Sequence, residues 1–489
     1  MRCADQEGKQ SGDEEETGAE GGSLAEVTPT ALIHAVDLPE AALSEQWGDR
    51  LGQFTSIVRR SFLYVVRDVY FYAIVGASII FLVVAASQSG QINGTPVQPV
   101  TYHIVGQLGN QFSLFMVILI TFYAGQLVWR ERDVEVQQVH DTLPLPTSVT
   151  LSAKGTALGL VCATLMLVVL TTGVATQLSY GFTDLNLGLY LTELYGAQLV
   201  DYLLYAALAL TVHAVVNHKY LGHFIVVAFF LGLGFSSQLG IEHTLWRYGS
   251  DPGLPYSAMN EYGHFASAFA WHKLLWAAVA LAMATITRLA WVRGEESTLE
   301  VRLRQARRRL SPAVWGTLGV AGVLAFGTGT FIYVNTTVWN SFRTSSEQTD
   351  LQAEYEKTYE RYATKPQPRI DAADLNVELY PDRRDARLAG SYVLVNDQST
   401  PVDTVFIDTP ADANVDRLSF GRAAETVRRD ETYGLRLVDL AEPLAPGDST
   451  SLTFDTWVRT DGFTTGGRPT SNVHTGTLHG SGPPPRHVY

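Results

Sequence analysis

Cysteine is almost absent. The 489 residues hold two, Cys3 near the start and Cys162 inside an apolar run. So placed, they supply neither a disulfide framework nor a zinc-ligand set. A phosphate loop of the G-x-x-x-x-G-K-[ST] kind is also missing, so any ATP has to be bound by another chain. No H-E-x-x-H occurs, and the histidines after residue 335 (His474, His479 and His487) have no neighbouring glutamate. The chain has no basic surplus either: its formal charge is −14, which argues against nucleic acid as a partner. The first 50 residues lack a basic start followed by an apolar core, so they do not read as a signal peptide.

What is present is unevenly distributed. Residues 1–50 carry 12 acidic against 3 basic side chains, and residues 336–489 carry 23 against 16. The acidity therefore belongs to two aqueous ends. Residues 1–53 are Gly/Glu/Ser-rich and read as a disordered acidic tail, an addition or a mis-called start. From Phe54, apolar residues mix with Arg59, Arg60 and Arg67, the composition of an interfacial helix. Runs of spanning length follow at about 69–87, 111–129, 155–175, 199–216, 221–240, 273–291 and 313–334. The expected fold is thus multi-domain: an all-α polytopic bundle of about seven spans over residues 54–335, then a linker and a second domain.

Charge placement orients the bundle. Arg59, Arg60, Arg67, Arg130, Arg132, Lys154, Lys219 and the arginines of 293–309 fall in alternate loops. The intervening loops 88–110 and 176–198 have no Lys or Arg, and 241–272 has only Arg247. That alternation predicts a cytoplasmic N-terminus and an extracytoplasmic C-terminal domain. The basic stretch 292–312 suits anionic headgroups or a docked partner equally well. Within the spans, Gln126, Asp201 and His213 are the polar candidates for a substrate path. The plainer reading is that each is wetted or paired.

The stretch WRERDVEVQQVHDTLPLPTSVTLSAK, from Trp129 to Lys154, separates two spans. Pro144 and Pro146 predict that a helix over about 131–142 stops there. Its charged start, its D-x-L-P-x-P turn and its lysine at the next span resemble the corresponding loop of type 2 ATP-binding-cassette export permeases. The resemblance implies that a separate ATPase subunit docks on residues 130–147. It makes Glu131, Arg132, Asp133, Asp141, Leu143, Pro144 and Pro146 contact residues, and has Lys154 fix its helix at the headgroups. It also implies a homodimer or heterodimer of permeases among membrane lipids, in the bacterial inner membrane. No catalytic residue, metal or cofactor is expected in the chain itself. Residues 255–264 resemble a PYSDMNGYG segment of large bacterial permeases fused to an aminopeptidase-like domain, with Ala258 and Glu261 replacing Asp and Gly. The plainer reading there is a structured lid on the helix ends.

After a linker at 336–368, ending in Pro-Gln-Pro, the apolar period becomes two: Leu375/Val377/Leu379, Tyr392/Leu394, Val405/Ile407, Leu435/Leu437 and Leu452/Phe454. Short strands between turn clusters predict a β-sandwich over 369–489. Asp374–Asn396, the Pro443–Asp448 turn and Thr475–Leu478 resemble the N-terminal sandwich of the aminopeptidase N family of zinc peptidases. That likeness implies a truncated copy of a longer fusion, lacking the catalytic domain. Two alternatives to a permease stay open: a non-transporting anchor that displays a protein- or peptide-binding sandwich, and a truncated membrane-bound metallopeptidase.

Overall fold

A computed structural model describes residues 47–465 except 93, 144, 294–297 and 410–412, together with 472–473 and 476–477. The expected contact residue Pro144 and the flanks of the Thr475–Leu478 segment lie outside the described residues. Helix α1 (Trp47–Val66) is followed by α2 (Val69–Ser87), whose first turn is capped by the Asp68 carboxylate accepting from the Tyr70 amide. A small hairpin, β1 (Gln91–Ile92) with β2 (Thr95–Pro96), leads to α3 (Thr101–Asp133). Then come α4 (Gln137–Thr142) and α5 (Thr147–Ser179). A short α6 (Leu187–Leu191) runs through a π-helical turn into α7 (Leu199–Val216). Helices α8 (Lys219–Gly234), α9 (Phe265–Ala290), α10 (Leu299–Arg309) and α11 (Pro312–Tyr333) complete the bundle, and α12 (Ser345–Tyr359) leaves it.

Six of these segments are long and apolar enough to cross a membrane: Val69–Ser87, Thr101–Asp133, Thr147–Ser179, Leu187–Val216, Phe265–Ala290 and Pro312–Trp339. The seventh expected span, 221–240, corresponds to α8, a shorter apolar helix of 16 residues. Hydropathy saw less of α3 and α5 than exists. Each has 33 residues without internal proline, about 50 Å of helix against about 30 Å of hydrocarbon. The extra turns carry polar residues, which a hydropathy window excludes and backbone hydrogen bonding does not.

One expectation is corrected here. Residues 131–142 are not a single helix. Glu131, Arg132 and Asp133 are the last turn of α3, Glu135 takes a left-handed backbone at φ 55°, and α4 starts two residues later.

Contacts sort the loops into two ends. At one end, Gln177 donates to Pro99 O at 2.8 Å and the Tyr180 hydroxyl to Ser87 O at 3.1 Å, joining the two loops without Lys or Arg. At the other end, Lys219 pairs with Asp133 at 2.6 Å and Arg302 of α10 donates to Val215 O at 2.8 Å. The basic loops therefore meet opposite the uncharged ones. The bundle core runs through α3, with Ile104, Leu108, Phe112, Met116, Ile120, Tyr123 and Leu127 fully buried against α5 and α7.

The C-terminal region is β-rich and antiparallel. Its strands are β3 (Arg369–Tyr380), β4 (Asp385–Val395), β5 (Val402–Asp408), β6 (Ala413–Phe420), β7 (Ala424–Asp430), β8 (Leu435–Leu444) and β9 (Ser449–Val458), then a two-residue pair, β10 (Asn472–Val473) with β11 (Gly476–Thr477). One sheet has the order β3-β4-β9-β6, the other β5-β8-β7. Leu394 and Phe454 of the first sheet share one buried cluster with Val405 and Leu440 of the second. Strands β6 and β7 escaped the sequence pattern because few of their side chains are buried. Phe463, beyond β9, packs among apolar residues of α9 and α11, and Asn340 donates to Asp461 O at 2.7 Å.

Candidate functional site

The candidate site is built on the last turn of α3. Three of its consecutive charged side chains each meet a different partner. Glu131 accepts from Lys154 of α5 at 2.6 Å, Arg132 donates to Asn217 Oδ1 at 2.6 Å, and Asp133 pairs with Lys219 of α8 at 2.6 Å. Asn217 can receive Arg132 because it ends α7 in a left-handed conformation, φ 52°, one of the few side chains that tolerates it. Arg132 also stacks over the Trp129 ring at 4.6 Å.

Lys154 overturns its expected placement. It does not reach the headgroups: only 2% of it is exposed, and its Nζ also donates to Leu127 O at 2.6 Å and lies 5.3 Å from the Trp291 ring centre. The reason is its position about two turns inside α5, on the face turned toward α3.

The rest of the loop is tied from the other side. Leu145 O accepts from Arg293, which follows α9. Arg302 donates to Ala214 O at 2.9 Å, and Arg309 to Trp291 O at 2.5 Å. These arginines satisfy carbonyls at helix C-termini, where cations are favoured. Their burial lowers the proton affinity of Arg302 and Arg309 below the ordinary arginine value, and for Arg309 the neighbouring Arg293 and Arg288 add to the effect. Sequence reasoning saw the basic stretch and missed this role, because charge content alone does not show that a guanidinium turns inward.

Asp141 lies within reach of Gln137 at 3.3 Å on α4. With Glu131, Arg132, Lys154 and His213, these two residues line a small cavity of about 30 Å³, room for a water. His213 is fully buried, its ring 4.6 Å from that of His223 and seated where Gly125 and Gly222 have no Cβ. Pro146 sits just ahead of α5 at φ −62°, the value proline fixes. Beside the exposed Glu135, Gln138 and Thr142, the segment also shows apolar side chains outward. Val136, Val139 and Leu143 are all exposed, Val139 at 70% and Leu143 at 46%, at i, i+3 and i+7.

Of the other polar span residues, Asp201 is engaged. Asp201 is paired with Lys273 of α9, which also pairs with Asp251 at 2.5 Å and donates to Gly249 O at 3.1 Å. Lys273 was missed because it is the first residue of the expected span 273–291 and so fell outside the loop whose charges were weighed. Among the described residues, no group of three or more His, Cys, Asp or Glu is placed to hold a metal ion.

Residues 62–234 match the family model described as ABC-2 family transporter protein. No curated protein matches the chain. The matched stretch runs from the last turn of α1 through α8 and includes residues 130–147, Lys154, Asn217 and Lys219, while Trp291, the arginines at 293, 302 and 309 and the β-rich region lie outside it. With six helices fit to cross a membrane, this is a multi-pass membrane protein whose matched region is similar to the permeases of ABC transport systems.

Proposed function

We propose that the chain is the membrane subunit of an ATP-binding-cassette exporter, driven by a separate ATPase that docks on residues 130–147. The observation that carries this reading is the exposed apolar set Val136, Val139 and Leu143, on and immediately flanking the short helix α4, outside the spans and inside the family match. Exposed apolar rows rimmed by charge are interaction surfaces. Glu131, Arg132 and Asp133 brace that helix more than they greet a partner. Through them and Leu145, a push on α4 reaches α5, α7, α8 and the end of α9. The permease works as a homodimer or heterodimer and needs no cofactor of its own.

The orientation follows the charges: acidic tail and α4 in the cytoplasm, β-rich region outside. Lys219 at one end and Asp251 at the other support a seventh crossing between them. On this reading the domains are a tail at 1–53, the permease at 54–335, a linker at 336–368 and, from 369, a sandwich related to the non-catalytic domain of aminopeptidase N. The shared cluster between the two sheets supports the sandwich.

The test is affinity copurification of the native chain beside Val139→Asp with Leu143→Asp, which remove the apolar row and keep the braces. An ATPase retained by the wild type and lost by the folded, membrane-inserted variant supports docking. No ATPase with either protein in the native host overturns it and leaves the anchor reading.

A further inference from the structure

Helix α1 carries a feature that transport does not use. Gly52, Ser56, Arg60, Leu63 and Arg67 recur at intervals of four, four, three and four residues, so they form one stripe along the helix and the turn that follows it. The opposite face carries Ser61 and Val65, both buried against the bundle. Beside the stripe opens a cavity of about 780 Å³, within the range that small-molecule sites occupy. Four arginines line it: Arg59 and Arg60 from α1, Arg67 from the turn that follows it, and Arg130 from the end of α3. Arg130 is held in place by stacking over the Tyr64 ring at 4.2 Å.

Their charge is not answered by protein. Among the described residues, no carboxylate forms an ion pair with any of the four. Asp68 is the one acidic residue lining the cavity, and its carboxylate already accepts from the Tyr123 hydroxyl at 2.8 Å and from the Tyr70 amide. Four guanidiniums converging on one space repel each other unless an anion sits between them. Their forked donors match the paired oxygens of a phosphate group, and a phosphate offers enough oxygens to be held by several of them at once. Arg130 precedes Glu131 in the same helix turn, so the cavity lies at the end of the bundle where the basic loops meet.

We propose that this cavity is a phosphate-binding site, taking the headgroup phosphate of an anionic phospholipid at the membrane face. Tyr64 and Leu63 provide an apolar wall for the glycerol, and the arginines clasp the phosphate. The site does not depend on the ATPase reading.

The experiment titrates the full detergent-solubilised chain with dioleoyl-phosphatidylglycerol or dioleoyl-phosphatidylcholine and counts bound lipids by native mass spectrometry. The wild type retains phosphatidylglycerol in preference to phosphatidylcholine, and Arg60→Gln with Arg67→Gln binds it about tenfold more weakly. Gly52→Trp keeps all four arginines and fills the cavity, because nothing lies within 4 Å of where its side chain begins. It produces a comparable loss. Arg307→Gln with Arg308→Gln removes two exposed charges elsewhere at the same end and changes nothing. Inorganic phosphate that displaces the lipid identifies a soluble phosphate as the ligand, and resistance to it identifies the headgroup; either is the proposed site. Equal retention of the two lipids by the wild type, an equal loss in Arg307→Gln with Arg308→Gln, or full binding by Gly52→Trp overturns it.

Discussion

Lys154 and Glu131 close a buried ion pair at 2.6 Å across 23 residues, joining α5 to the last turn of α3. Both ends are positioned by helices that have no proline between them and the membrane, so neither can follow the other if one is removed. Glu131→Gln leaves an uncompensated cation inside the bundle and is expected to cost about 3 kcal/mol or more. Replacing the pair together, Glu131→Gln with Lys154→Met, recovers most of that loss. Unfolding midpoints in detergent for the two single variants and the double measure it. Strictly additive losses would show that the pair carries no coupling.

The sequence made the bundle legible because its spans are long apolar runs and its charges alternate between loops. The same reading took the whole stretch between Trp129 and Lys154 as a loop, whereas residues 131–133 end α3 and residues 147–154 open α5. What it missed depended on direction. A lysine at the start of a span reads as a headgroup anchor, and nothing local reveals that Lys154 turns toward Leu127 O. The arginines of α10 read as facing anionic headgroups or a docked partner, while Arg302 in fact reaches carbonyls 88 and 87 residues away. Strands β3, β4, β5, β8 and β9 announced themselves by alternation. Strand β7, Ala-Glu-Thr-Val-Arg-Arg-Asp, buries almost nothing and so carries no pattern to read.

Lys273 holds two carboxylates, Asp201 from α7 and Asp251 from the following loop, and it is the only cation that pairs with either among the described residues. Lys273→Met therefore leaves two acids against each other, whereas Asp201→Asn leaves a balanced pair with Asp251. The expected order of damage is Lys273→Met well above Asp201→Asn. Hydrogen exchange of the 241–262 segment reads it: protection collapses in the first variant and falls slightly in the second. Equal exchange in both variants would remove the triad's role in pinning that loop.

The β-rich region has a pH dependence written into two exposed pairs. Hydrogen bonding to Arg387 holds Asp455 below the usual carboxylate range, and Arg422 together with the Ser449 amide does the same for Asp448. A depressed folded-state value means that the stabilisation is complete above the unfolded value, about 3.9 for aspartate. It is lost as pH falls through the folded value. Exchange of strand β9 in the full chain is therefore expected to quicken below about pH 4, and Asp455→Asn removes much of that dependence. The size is modest because both pairs are solvated. An unchanged acid profile in Asp455→Asn would assign the sensitivity elsewhere.

Arg302 offers the sharpest separation between docking and transmission. Its guanidinium donates to Ala214 O and Val215 O at the end of α7 and approaches Ala290 O at the end of α9, so one side chain bolts two spans together beside α4. It touches none of Val136, Val139 or Leu143. On the proposed mechanism, Arg302→Gln still copurifies with the ATPase, because the docking row is intact. Transport-coupled ATP hydrolysis by the complex drops, because a push on α4 then moves α7 and α9 independently. The loss expected is severalfold, the scale of one or two charge-assisted hydrogen bonds. If hydrolysis persists at the wild-type rate while docking is retained, force does not travel through the helix ends that Arg302 joins. The braces on Glu131 and Asp133 would then have to carry it alone.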